Sequence, residues 1–190
     1  RRYGGDLQGV ILKLDYLKSL GINAIYFNPL NHAPSLHKYD ASYYHHIDAH
    51  FGPDPEGDLA LIAKENPADP ATWVWTSADK LFLELIKKAH AKGIRVIMDY
   101  SWNHTGTLFW AWQDVLKNQQ QSKYKDWYAI NSFDNQNTPQ DEFSYTGWLG
   151  NNSLPELKKV AITTQRKVGH PYEGNIHPEV KAHIFAVTER

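Results

Sequence analysis

The sequence contains no cysteine. That excludes a disulfide framework, a thiolate nucleophile and a sulfur-ligated metal site, and it leaves the redox compartment open. A surplus of either charge is also lacking: 20 Lys and Arg stand against 21 Asp and Glu, a formal net charge of -1. No global field therefore favours nucleic acid or an acidic membrane surface. Nowhere does an apolar run approach the roughly 18 residues that a membrane span needs. The opening Arg1-Arg2-Tyr3-Gly4-Gly5-Asp6 has no apolar stretch of the signal-peptide kind. A nucleotide-binding βαβ domain is disfavoured, because no Gly-x-Gly-x-x-Gly opens a helix after either apolar strand.

What is present is ample apolar material. The 190 residues are 42% hydrophobic and 13% aromatic, enough for one sizeable core. The basic pair at the start and the apolar-periodic stretch from Val180 to Val187 at the end suggest a piece of a longer chain.

Over residues 6–20, Leu7, Val10, Ile11, Leu14, Leu17 and Leu20 recur at helical spacing. Asp6 can cap the start, and Gly21 sits where a left-handed residue ends a helix. Residues 22–27, stopped by Asn28-Pro29, read as a buried strand. The same grammar repeats with Ser77 as the expected cap, an apolar stripe of Leu81, Phe82, Leu85, Ile86 and Ala89, a terminating Gly93, and a strand over residues 94–98. Two strands joined through a helix predict a parallel sheet. Ligands of such folds gather at the carboxyl ends of the strands, and both ends here run into long polar, aromatic-rich loops, residues 28–77 and 99–178. The second is long enough for an inserted subdomain, with a short helix over residues 108–117 and a turn over residues 134–140. Residues 178–190 resume helical spacing, with Pro178 in the first turn.

Asp99-Tyr100-Ser101-Trp102-Asn103-His104 closes the second strand and resembles the first signature region of the α-amylase family, glycoside hydrolase family 13. Around it, Gly4-Gly5-Asp6-Leu7 and the helix after it are similar to that family's first barrel helix, and Ile25-Tyr26-Phe27-Asn28-Pro29 to its second strand. His37-Lys38-Tyr39-Asp40 and Ile47-Asp48-Ala49-His50-Phe51-Gly52 are similar to the loop that follows. Trp148-Leu149-Gly150 and Leu154-Pro155-Glu156-Leu157 resemble the end of the inserted B domain. Three departures bear on substrate subclass: Tyr43 where Asp is usual, Ala49 where Pro is common, and a link over residues 54–76 that is longer than the usual one.

The resemblance implies an α/β fold, a partial (β/α)8 TIM barrel with a B domain inserted after the third strand. Residues 1–104 would be partial barrel, 105–177 the B domain, and 178–190 the start of the next barrel helix. It also implies that the nucleophile and the acid/base lie beyond Arg190, so that residues 1–190 alone would be inactive. The parent would be a retaining α-glucan hydrolase of the α-amylase, cyclomaltodextrinase or neopullulanase type. Its partner would be an α-glucan or maltooligosaccharide, with no nucleic acid and no membrane, and an extracellular or periplasmic location is compatible. A catalytically silent sugar-binding or scaffold protein on the same fold is the alternative.

Within that frame His104 would donate a ring N–H to a sugar hydroxyl, against an ordinary structural histidine at a strand end. Tyr39 would offer an aromatic face, against simple packing. Asp40 would bind a terminal hydroxyl or an arginine, against loop turn chemistry. Asp99 is expected to be a buried scaffold acid paired with an arginine or backbone donors. Among seven tryptophans, Trp148 is the favoured sugar platform. No cofactor is required, and Asn103 is the candidate calcium ligand, one of the six to eight oxygens that calcium takes. His45, His46 and His50 invite a metal reading, but without zinc spacing a solvated or hydrogen-bonded role is expected.

Overall fold

In the computed structural model, which describes residues 4–135, 137–160 and 175–190, the chain first turns helical at α1 (Leu7–Ser19). Asp6 caps it by accepting from the Gly9 N–H at 2.7 Å, and Gly21 beyond its end takes φ +80°, as the spacing predicts. Strand β1 (Ala24–Phe27) follows. Helix α3 (Ser77–Ala91) and strand β2 (Arg95–Met98) come after the long loop and its helix α2 (Pro55–Ile62). β1 and β2 pair in parallel with Tyr26 opposite Ile97 and Phe27 opposite Met98.

The two strands are not buried on both faces, as their apolar runs suggest. Ile25, Phe27, Val96 and Met98 pack on the helices, while Tyr26 and Ile97 on the other face are 60% and 46% exposed. A strand alternates its side chains between faces, and among the described residues α1 and α3 cover one of them. The core so formed joins Leu7, Ile11, Leu30, Ile47, Ala78, Phe82 and Leu85.

The cap of α3 is Thr76 rather than Ser77. Thr76 Oγ accepts from the Asp79 N–H, and the Thr76 N–H donates back to Asp79, each at 3.1 Å, a reciprocal capping box that Ser77 cannot make with Lys80. Helix α2 occupies part of what reads as an unstructured link. Asp54 caps it and Pro55 opens it, and its buried Asp58 accepts from the N–H groups of Ser77 and Ala78 at the start of α3. Gly52 lets the loop pass close to α3: a Cβ there would lie 2.6 Å from Ala78 Cβ.

The chain divides into two compact units, Arg1–Tyr100 and Ser101–Arg190. The second begins with an irregular stretch and α4 (Trp110–Asn118), near the expected position although no side chain caps it. Three short antiparallel pairs follow: β3 (Ile130–Ser132) with β4 (Ser144–Tyr145), β5 (Gly147–Trp148) with β6 (Asn151–Pro155), and β7 (Lys159–Val160) with β8 (Asn175–Ile176). Helix α5 (Pro178–Glu189) closes the unit with Pro178 at its first turn. The core is aromatic: Trp112, fully buried, meets Tyr145 at 4.5 Å and Tyr128 at 4.7 Å between ring centroids. Of the stretch expected to form an insertion, residues 136 and 161–174 lie outside the described residues, as do Arg1, Arg2 and Tyr3. No helix among the described residues is long and apolar enough to cross a membrane.

Candidate functional site

Parallel pairing carries the Asp99 backbone N–H onto the Phe27 carbonyl at 3.1 Å, so Asp99 stands at the carboxyl end of β2. Its carboxylate is half-buried and accepts a 2.6 Å hydrogen bond from the Tyr39 hydroxyl. The phenol of Tyr26, from the exposed face of β1, also bonds to it. Both phenols are shifted upward, first because their protons are held by the Asp99 carboxylate. The expected arginine is thus replaced, among the described residues, by phenolic partners. A carboxylate at this sheet end needs donors, and tyrosines on neighbouring elements meet that need without a second charge. No motif marks Tyr26 as part of this site; its one sequence signal is the period-2 alternation of β1, which sets it opposite the core-facing Ile25 and Phe27.

Tyr39 is half-buried, with its ring lying against His37 at 5.8 Å. Asp40 accepts from the Ser35 N–H at 3.2 Å and from the Ser35 hydroxyl. That is loop turn chemistry, and it turns the Asp40 carboxylate to bracing the loop. The loop is further held by buried Asn31, whose amide donates to the carbonyls of Tyr44 and His46, and by buried Lys38, which takes φ +63° and pairs with Asp48.

In the second unit, Asn103 and His104 run beside the end of β6. His104 bridges Glu156, the Leu157 N–H donates to the Asn103 carbonyl at 3.0 Å, and the Thr105 N–H donates to the Pro155 carbonyl. His104 is 4% exposed, its Nδ1 bonds to Asn103 Oδ1, and its ring stacks on Trp148 at 6.2 Å and 25°. Trp148 also has Lys159 Nζ 5.5 Å from its ring centroid. The β5–β6 turn that carries it has positive φ at both Leu149 (52°) and Gly150 (81°), as in a type I′ hairpin. Gly147 is obligatory there, since a Cβ would lie 2.1 Å from the Asn151 carbonyl oxygen.

Tyr39, Asp40 and Asp99 therefore belong to the first unit, and Asn103, His104 and Trp148 to the second. Both oxygens of Asn103 already accept from protein donors, so calcium would find in it at most one of its six to eight ligands. Among the described residues, the group of three or more His, Asp or Glu donors that converge at metal distance lies elsewhere, at His45, His46 and Glu65. Of the two roles expected for the loop histidines, solvated or hydrogen-bonded, His45 and His46 take the second. His45 and His46 are buried and hydrogen-bonded to Glu65, whereas the His50 side chain is 57% exposed and bonds to Asp48. Glu65, 20 residues from His45, offers no spacing signal in the sequence. Burial works to raise the Asp79 carboxyl, but hydrogen bonds from His46 and from the Ile47 and Thr76 N–H groups outweigh it and hold Asp79 below the usual carboxylate range.

A family model for the α-amylase catalytic domain matches residues 1–66 and 77–165, passing over residues 67–76. The chain is 41% identical to an intracellular maltogenic amylase of Bacillus subtilis (strain 168), covering 84% of this chain and 23% of that protein. It is 37% identical to a cyclomaltodextrinase of Geobacillus thermopakistaniensis (strain MAS1), covering 97% and 24%. Among solved structures, the cyclic α-maltosyl-(1→6)-maltose hydrolase of Arthrobacter globiformis superposes with a TM-score of 0.66 at 29% identity, over 98% of this chain and 33% of that one. The chain spans about a quarter of the length of these curated relatives. Its β1–α3–β2 unit is part of the barrel fold of such enzymes. With most of its length matched by that model and by relatives above 30% identity, the chain belongs to the α-amylase family.

Proposed function

We propose that the protein containing these residues is a retaining α-glucan hydrolase of the cyclomaltodextrinase, neopullulanase or maltogenic amylase type, and that this chain contributes sugar-holding residues to it. The observation that carries the reading is the family match, which runs from α1 through β2 and on into the second unit. Retaining hydrolysis needs a nucleophilic carboxylate and an acid/base about 5–5.5 Å apart. We assign neither role here, because Asp99 is engaged by Tyr39 and Asp40 by Ser35. As membership of the family implies, the nucleophile and the acid/base lie outside residues 1–190.

In this reading Asp99 is a positioning residue: it fixes the Tyr39 hydroxyl and so sets the tilt of the ring that faces the sugar. His104, oriented by Asn103 through Nδ1, turns its other ring nitrogen to a hydroxyl of the reacting glucose, where a hydrogen bond strengthens as positive charge develops on the ring. Trp148 holds the opposite side of the imidazole and forms the rim. Residues 105–177 are the inserted B domain, whose start falls close to the break between the two units at Tyr100 and Ser101. Calcium at Asn103 would have to draw its remaining oxygens from outside the arrangement seen there.

The test is proton NMR of the anomeric region while the whole protein acts on maltoheptaose. The α-anomer is expected to appear first. A β-anomer first would overturn retention, and no product at all would favour a silent sugar-binding protein.

A further inference from the structure

The loop after β1 and the segment after α2 meet at a buried group that the sugar chemistry leaves unused. His45 Nε2 lies 3.2 Å and His46 Nε2 2.8 Å from one and the same oxygen, Glu65 Oε2. The donor atoms of the three fall within 4.8 Å of one another, and their side chains are 1%, 0% and 2% exposed. The other Glu65 oxygen accepts from the Val74 N–H at 2.5 Å, which fixes the carboxylate. On the far side of the ring, His46 Nδ1 lies 2.7 Å from Asp79 Oδ2.

A carboxylate oxygen therefore faces each ring nitrogen of His46. A neutral imidazole has one N–H and one lone pair, so it can donate to one carboxylate while turning its lone pair on the other. In a buried site that repulsion is poorly screened, and the arrangement calls for a positive charge at a ring nitrogen. A proton would meet the need of His46 and leave His45 as an ordinary donor. A metal ion meets the same need and also accounts for the convergence of two imidazole nitrogens and a carboxylate oxygen, a donor set that zinc takes. The Asp79 contact then has the form of the carboxylate–imidazole bond that orients a metal-bound histidine.

We propose that His45, His46 and Glu65 bind a zinc ion, with Asp79 accepting from His46 Nδ1–H. Its role is to clip down a segment of this chain's own. The family match passes over residues 67–76, which follow Glu65 and contain the anchors Trp73 and Val74. Trp73 stacks on His45 at 4.3 Å, so one ion would tie this segment to the loop after β1 and, through Asp79, to the start of α3.

The test uses the whole protein, stripped with chelator and re-equilibrated with micromolar zinc. One zinc per chain and a higher Tm with zinc than without are expected. Glu65→Gln keeps the size of the side chain but not its charge, and is expected to bind zinc at least roughly tenfold more weakly and to lose the zinc-dependent Tm rise. X-ray absorption at the zinc edge of the wild type needs no variant and is expected to show two imidazole ligands. A stripped protein whose Tm ignores zinc, equal zinc binding by Glu65→Gln, or fewer than two imidazoles would each overturn the proposal.

Discussion

The two units are built on different principles. In the first, aliphatic side chains at helical period, Leu7, Ile11, Leu14, Phe82 and Leu85, pack on one face of a parallel strand pair. The second has strands of two to five residues, and its core is a set of rings around Trp110, Trp112, Tyr124, Trp127 and Tyr128. Periodic aliphatic packing is distributed over many modest contributors, whereas an aromatic cluster concentrates burial in a few large ones. The second unit should accordingly be more sensitive to single truncations.

The largest effect expected from that contrast is at Trp112. Trp112→Ala removes a fully buried ring touching Tyr128 and Tyr145 and should cost about 4 kcal/mol, read from amide exchange of α4. Leu85→Ala, equally buried in the first unit, should cost about 3 kcal/mol, read from α3. A greater loss at Leu85 than at Trp112 would break the comparison.

Acid sharpens it with a smaller effect. Burial among Phe109, Trp110 and Trp127 pushes His183 on α5 down to about 4. The unfolded chain, with a histidine near 6.5, takes up the proton first as pH falls. Stability from the neutral ring is therefore complete above pH 6.5 and is lost progressively down to about pH 4, by on the order of 3 kcal/mol in total. Asp48 and Asp79 in the first unit are held below the carboxylate range against the upward push of burial, so their contribution falls away only at pH below about 4. Amide exchange of α5 in wild type and His183→Gln at pH 7 and pH 4.5 checks this. A pH dependence of α5 protection that the variant leaves unchanged would remove His183 as its source.

The same contrast explains what could be read in advance. Gly21 and Gly93 end their helices at φ +80° and +71° where a stripe of leucines stops, because helix signals are local. Thr76 and Ser77 are both able caps for α3, and only the reply from Asp79 decides for Thr76. Helix α2 leaves little trace in the sequence beyond the start signal Asp54-Pro55, because eight residues give the periodicity little room. In the second unit the His104–Glu156 bridge and the approach of Trp148 depend on pairing between distant segments, which no local pattern encodes. The strand-end position of Asp99 is legible from β2, but its partner Tyr39 depends on a loop closing over the sheet end.

In the proposed reading the strand-end residues of this chain hold the sugar, and His104 is the one whose loss should be felt most plainly. In the whole protein, His104→Ala should lower kcat/KM for a maltooligosaccharide by about 10- to 150-fold, the roughly 1.5–3 kcal/mol of a hydrogen bond to developing charge. The backbone bridge to Glu156 should survive, since it needs no side chain. An unchanged kcat/KM in a variant that keeps that bridge would contradict a sugar-holding role for His104.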